Sequence, residues 1–257
     1  MPNSHGKFVW YELMTSDQSA AEAFYKEVVG WGSRDSGVPG VSYTLFTVGE
    51  NPVAGVMTVP EEAKKQGARP GWIGYVAVDD VDRTAGAVRE AGGTVYREPD
   101  DIPGVGRFAV VADPQGAVFA LFKGTSMEPP APPPGTPGHA GWHELFATEL
   151  EPALFFYADL FGWTKGDALD MGPMGVYQLF SHNDVPIGGM MRRPPSVPAC
   201  FWNYYFNVDG IEAAAERVKA AGGQIVSGPM EVPGGSWILQ GMDPQGAMFA
   251  LVAPAKS

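Results

Sequence analysis

The sequence predicts an α+β protein of two tandem domains that share one fold, each built from two strand–helix–strands units. Three observations predict it. The block Trp10-Tyr11-Glu12-Leu13, with Phe24-Tyr25 and Gly30-Trp31 behind it, returns as Trp142-His143-Glu144-Leu145, Phe156-Tyr157 and Gly162-Trp163. Asp113-Pro114-Gln115-Gly116, with Phe119 and Leu121, returns as Asp243-Pro244-Gln245-Gly246, with Phe249 and Leu251. The offsets are 132 at the first block and 130 at the last. That period is far longer than a solenoid unit and marks duplicated domains. Between the copies, residues 124–138 hold six prolines, an extended spacer reaching about 3 Å per residue. The expected domains are therefore 1–123 and 139–257, with 124–138 as linker.

Each element follows from local pattern. Phe8 to Thr15 alternates as a strand. Asp17 then caps a helix with Ala20, Ala21, Phe24, Tyr25 and Val28 on its apolar face, and Gly30 stops it. Tyr43–Val48 and Val53–Val59 read as a hairpin around Gly49-Glu50-Asn51. Ile73–Val78 is a further strand, and Asp79-Asp80 open a helix with Val81, Ala85 and Val88 inward, ended by Gly92-Gly93. A short strand is expected near Thr94–Tyr96. Arg107–Ala112 and Ala117–Phe122 close the copy, joined by a turn at Asp113-Pro114-Gln115-Gly116 with proline in second place. The second copy repeats each step, including a helix with Ile211, Ala214, Ala215 and Val218 inward.

The bulk numbers narrow the function. At 257 residues each copy can bury its own core. A formal charge of −12 argues against nucleic acid and anionic membrane surfaces, which need a basic footprint. The opening residues show no signal-peptide pattern, and no apolar run reaches the 18 or so residues of a membrane span. Cys200 is alone and has no counterpart in the first copy, which fits a reducing, cytoplasmic setting better than a disulfide or a catalytic thiol.

Four such units in one chain resemble the vicinal oxygen chelate superfamily, which includes glyoxalase I, extradiol dioxygenases, bleomycin- and fosfomycin-resistance proteins and methylmalonyl-CoA epimerase. The resemblance rests on the Trp-x-Glu-Leu…Phe-Tyr…Gly-Trp blocks, Val78-Asp-Asp-Val-Asp82 with Val208-Asp-Gly-Ile-Glu212, and the two Asp-Pro-Gln-Gly turns. It implies tandem domains of two βαβββ units, each pair curling a mixed sheet into a cup with the helices outside and the ligand within.

It also implies a divalent ion held by His and Glu or Gln, open to two substrate oxygens. The positions that resemblance assigns to ligands are Trp10, Ile73 and Ala120 in the first copy, and Trp142, Asn203 and Ala250 in the second. Indole and methyl groups bind no cation, so no metal and no cofactor is expected. Of the four histidines, His5 and His139 fall in flexible flanks and His182 in a hairpin turn. His143 has Tyr11 as its twin, so its position calls for a ring rather than a ligand.

Alternation along a strand puts Trp10 with Glu12, and Trp142 with Glu144, on one face. If that face is the inner one, the cup is lined by Trp10, Tyr75 and Ala120 in the first copy. Trp142, Asn203, Tyr205, Asn207 and Met248 line it in the second. Such a cup is an apolar, aromatic-walled small-molecule site with one acid, Glu12 or Glu144, near its floor. Trp31, Trp163, Trp72 and Trp202 are expected to fill cores instead. Arg107, whose twin is Trp237, reads as a surface arginine.

Three functions stay open. The first is a metal-free protein binding a small aromatic or cationic molecule, as bleomycin-resistance proteins do. The second is a lyase, isomerase or hydroxylase of the glyoxalase type, with Glu12 or Glu144 as the catalytic acid or base. The third is a scaffold with an empty cup. The expected partners are a small molecule and no nucleic acid or membrane, in a monomer or homodimer.

Overall fold

The structure is a computed structural model and describes residues 4–38, 40–126 and 132–255. The centre of the proline-rich linker, 127–131, lies outside the described residues. The first repeat runs β1 (Phe8–Thr15), α1 (Gln18–Val29), β2 (Gly32–Asp35), β3 (Thr44–Val48), β4 (Asn51–Thr58), a short connector α2 (Glu61–Lys65), β5 (Gly71–Ala77), α3 (Val81–Glu90), β6 (Thr94–Ile102), β7 (Gly106–Ala112) and β8 (Val118–Gly124). The second runs β9 (Ala140–Ala147), α4 (Leu150–Phe161), β10 (Thr164–Asp170), β11 (Val176–His182), β12 (Val185–Arg192), β13 (Phe201–Asn207), α5 (Ile211–Ala220), β14 (Gln224–Glu231), β15 (Trp237–Met242) and β16 (Met248–Ala253).

Two mixed sheets of eight strands result, in the orders β2-β3-β4-β1-β5-β8-β7-β6 and β10-β11-β12-β9-β13-β16-β15-β14. The α+β architecture of duplicated βαβββ units is as the sequence predicts. Three features differ from expectation, beginning with β2 and its twin β10, strands that no local pattern had marked. The strand near Thr94 extends to Ile102 because its antiparallel partner β7 carries it through two register shifts. The connector α2 was not foreseen; it is a solvated turn of helix whose residues bury nothing.

Helix ends follow their sequence signals. The Asp17 carboxylate accepts the Ala20 amide at 3.0 Å, satisfying an orphan donor of α1. Gly30 closes the helix at φ 86°, a left-handed conformation that costs glycine nothing. In α4 the capping position is Glu149, whose side chain makes no cap bond. There the Gln115 carbonyl oxygen accepts both the Thr148 and Glu149 amides at 2.8 Å.

The compact units cut across the repeats. Unit one gathers β5–β8 with most of β9, α4 and β10–β12, and includes the residues leading up to Trp10. Unit two gathers most of β1, α1 and β2–β4 with β13–β16 and α5. In unit two, Tyr25 of α1 is fully buried among Trp31, Phe46, Trp72 and Phe249, its hydroxyl taking the Trp72 indole N–H at 2.9 Å. In unit one, Tyr157 of α4 packs on Phe119, Trp163 and Trp202, and its hydroxyl takes the Trp202 indole N–H at 3.0 Å. The four tryptophans assigned to cores are therefore core residues, each under 10% exposed.

The histidines divide differently from expectation. His5 is not loose: its Nε2 lies 2.9 Å from the Leu160 carbonyl, and the Gly6 carbonyl next to it accepts the Trp163 indole N–H at 2.7 Å. His182 ends β11 with Nε2 2.8 Å from the His5 carbonyl. His143 is buried, as its ring-demanding position implies. It stacks on Phe8 at 4.0 Å, and its Nδ1–H donates to the Ile187 carbonyl at 2.6 Å. Arg107 is a surface residue, forked between Asp82 and Asp101.

Candidate functional site

Each sheet has a helix-bearing face and a helix-free face, and strand register sorts the residues between them. On β13 the even positions Trp202, Tyr204 and Phe206 belong to the aromatic cores. Asn203, Tyr205 and Asn207 therefore point to the helix-free face. Parallel pairing sets Tyr205 beside Ala250, so Met248 and Ala250 share that face, while Phe249 meets Phe24 of α1 on the other. The same logic pairs Tyr75 with Ala120 on β5 and β8. On β1, Leu13 and Val56 are fully buried partners on the helix side, which leaves Glu12 and its partner Gly55 on the helix-free face. In β9, Leu145 and Met190 play that part, and Glu144 with Gly189 faces away.

In unit one, Tyr75 lies 6.4 Å from Phe108 and 6.2 Å from Phe122. The Arg97 guanidinium sits over the outer ring of that cluster, 4.6 Å from the Phe108 centroid. In unit two, an offset of 130 puts Asn203, Asn207 and Gln240 where the first repeat has Ile73, Ala77 and Val110. The Gln240 amide donates to the Tyr205 hydroxyl at 2.7 Å. Asn207 is a brace: its amide donates to the His139 carbonyl at 3.0 Å, and it fills the space beside Gly141. Asn203 is 1% exposed, and neither its Oδ1 nor its Nδ2 has a partner. Leaving a buried amide unpaired costs about 1–3 kcal/mol per polar group, so this position is not explained by folding alone.

Glu12 and Glu144 are both buried, at 9% and 4% exposure. Beside each lies a residue that sequence reasoning missed. A Cβ on Gly55 would collide with the Tyr43 hydroxyl, and one on Gly189 would collide with the Tyr177 ring. Each tyrosine stands two residues before the strand partner of its glycine, Leu45 or Leu179, and reaches diagonally over it. Glutamate, glycine and tyrosine thus form a repeated trio, Glu12-Gly55-Tyr43 in unit two and Glu144-Gly189-Tyr177 in unit one. The available signal was the shared offset of 134 at both the glycine and the tyrosine.

The family model of the glyoxalase/bleomycin resistance protein/dioxygenase superfamily matches residues 7–121 and 136–251, and the chain belongs to that superfamily. It is 35% identical over 249 residues to "Putative glyoxylase CFP32" of Mycobacterium tuberculosis (strain CDC 1551 / Oshkosh), covering 96% of this chain and 94% of that protein. It is 32% identical over 266 residues to "Anthracycline biosynthesis protein DnrV" of Streptomyces peucetius, covering 96% and 93%. Among solved structures, the Mn(II)-bound glyoxalase from Novosphingobium aromaticivorans superposes with a TM-score of 0.64 at 20% identity, covering 98% of this chain and 83% of that one. The 2,3-dioxygenase LapB from Pseudomonas sp. KL28 gives 0.66 at 12%, covering 99% and 94%. At those identities the two structures establish the fold alone.

A divalent ion of the kind the fold family uses does not fit the residues at hand. The expected ligand positions carry indole, sec-butyl and methyl groups and one amide. Among the described residues no three His, Cys, Asp or Glu side chains come together in a metal-holding group. No described helix is long and apolar enough to cross a membrane.

Proposed function

We infer that the chain binds a small, flat aromatic molecule on the helix-free side of its strands, by ring stacking and hydrogen bonds and without a bound metal ion. The observation that carries this reading is the replacement of ion-holding groups by aromatic, small and amide side chains, with Tyr205, Ala250, Met248 and the unpaired Asn203 grouped on one face of unit two. The net charge of −12 favours a neutral or cationic ligand over an anionic one. The Streptomyces relative, whose name ties it to anthracycline biosynthesis, supports a fused-ring aromatic.

Metal analysis of the purified chain, followed by tryptophan-fluorescence titration with planar aromatic compounds, tests this directly. Saturable quenching by metal-free protein is the expected result. Stoichiometric iron, manganese, nickel or zinc, or no response to any planar compound, overturns it.

A second reading is favoured by the Glu-Gly-Tyr trios. A buried carboxylate beside a phenol is suited to move a proton at a carbon next to a carbonyl, and the mycobacterial relative carries a glyoxylase name. Turnover of a methylglyoxal–thiol adduct that disappears in Glu12→Gln or Glu144→Gln supports it; unchanged turnover in both variants removes it.

A further inference from the structure

We propose that the second repeat reads a hydrogen-bonding edge on its ligand through Asn203, and that the first repeat, with Ile73 in that place, does not. This rests on the aromatic-binding reading above. The side chain of Asn203 is 99% buried, lies on the helix-free face, and has both polar atoms without a partner. Its polar neighbours on that face are already committed: Asn207 to the His139 carbonyl and the Tyr205 hydroxyl to Gln240. Asn203 is therefore the group on this face with open hydrogen-bonding capacity at both ends.

A primary amide presents a donor and an acceptor about 2.3 Å apart in one plane. Its complement is a planar edge that offers an acceptor and a donor with the same spacing: a lactam, a carboxamide or an enol beside a ketone. Tyr205 is the next residue along the strand on the face of that amide, and Ala250 lies across the ladder from Tyr205, so the complementary edge belongs to a flat ring system rather than to a flexible chain. In the first repeat the corresponding position holds the buried, apolar Ile73. A sec-butyl group at that position offers neither a donor nor an acceptor. The two repeats consequently differ in selectivity, not merely in sequence.

The test is calorimetric titration of the full chain with two matched probes, isoquinolin-1-one, which has the lactam edge, and naphthalene, which lacks it. The unaltered protein is expected to prefer isoquinolin-1-one by about tenfold or more. Asn203→Leu is expected to abolish that preference while keeping naphthalene binding, and Asn203→Ala serves if the leucine variant does not fold. Ile73→Ala, a change in the other repeat, is expected to leave the preference intact. An unchanged preference in both Asn203 variants, or equal binding of the probes to the unaltered chain, overturns the assignment while aromatic binding stands. Silence towards both probes overturns aromatic binding itself and the assignment with it.

Discussion

The Tyr25 hydroxyl of the first repeat donates to the Asp243 carboxylate of the second at 3.1 Å, across 218 positions of chain. The relation is reciprocal: Tyr157 of the second repeat donates to Asp113 of the first at 3.0 Å. Each aspartate also accepts two amides of its own Asp-Pro-Gln-Gly turn. An indole, a phenol, a carboxylate and a turn are thereby linked in series, Trp72-Tyr25-Asp243 in unit two and Trp202-Tyr157-Asp113 in unit one. This linkage accounts for the crosswise assembly of the units, because the helix of each repeat is tied to the closing turn of the other.

Tyr25→Phe leaves the Trp72 N–H without its acceptor and Asp243 without its donor, with no change in packing volume. It is expected to lower unfolding free energy by about 1–3 kcal/mol in urea titration, and Tyr157→Phe by a similar amount. A loss below 0.5 kcal/mol in both would mean that water replaces the phenol freely.

Burial pushes the Asp243 and Asp113 carboxyls above the ordinary value, while the turn amides and the tyrosine hydroxyls pull the other way. A carboxyl whose folded pKa is raised keeps its proton longer in the native state. Stability from this source is thus highest in acid and falls as pH rises through the raised pKa. Asp243→Asn, which keeps an oxygen for the turn amides, is expected to gain stability relative to the unaltered chain as pH rises through and above the ordinary carboxylate range. A constant difference across that range would show that Asp243 does not titrate there.

His143 shifts in the opposite sense. Burial pushes its pKa down to about 4, against the pull of the Ile187 carbonyl. The unfolded chain then binds the proton first, so this histidine removes stability as pH falls from 6.5 towards 4, by an amount on the order of 3 kcal/mol. His143→Phe, preserving the stack on Phe8, is expected to flatten that part of the acid-unfolding curve. Parallel curves for the two proteins would contradict a buried neutral imidazole.

Gln115 and Gln245 occupy equivalent turns but different roles. Gln115 caps α4, whereas α1 is capped by its own Asp17, and the Gln245 carbonyl oxygen is buried without a partner. Gln115→Ala is therefore expected to cost about 1 kcal/mol, the usual worth of a cap. Gln245→Ala should cost less, and equal losses by thermal denaturation would refute the distinction.

Gly189→Ala drives a methyl group into the Tyr177 ring, and Gly55→Ala drives one into the Tyr43 hydroxyl. Each is expected to destabilise by about 1–3 kcal/mol. Combining Gly189→Ala with Tyr177→Ala should recover a large part of the loss; no recovery would place the clash elsewhere.

Much of this was legible in the chain. The repeated Trp-x-Glu-Leu and Asp-Pro-Gln-Gly blocks fixed the duplicated βαβββ fold, since hydrophobic period and turn chemistry are local properties. Strand alternation put Trp10 with Glu12, and Asn203 with Tyr205, on one face for the same reason, while the expectation of which face that is rested on the resemblance. Tyr43 and Tyr177 escaped notice because their reach over Gly55 and Gly189 depends on ladder register, and register is set by pairing between strands distant from any one motif.

The sequence by itself determined the duplicated family fold and the aromatic character of the strands, both of which are written in residue identity and spacing. Only the tertiary structure decided that Tyr25 reaches Asp243 and Tyr157 reaches Asp113, and that Asn207 is tied down while Asn203 is not. Those facts arise from long-range packing, where each polar atom's state depends on what other parts of the chain bring within about 3 Å of it.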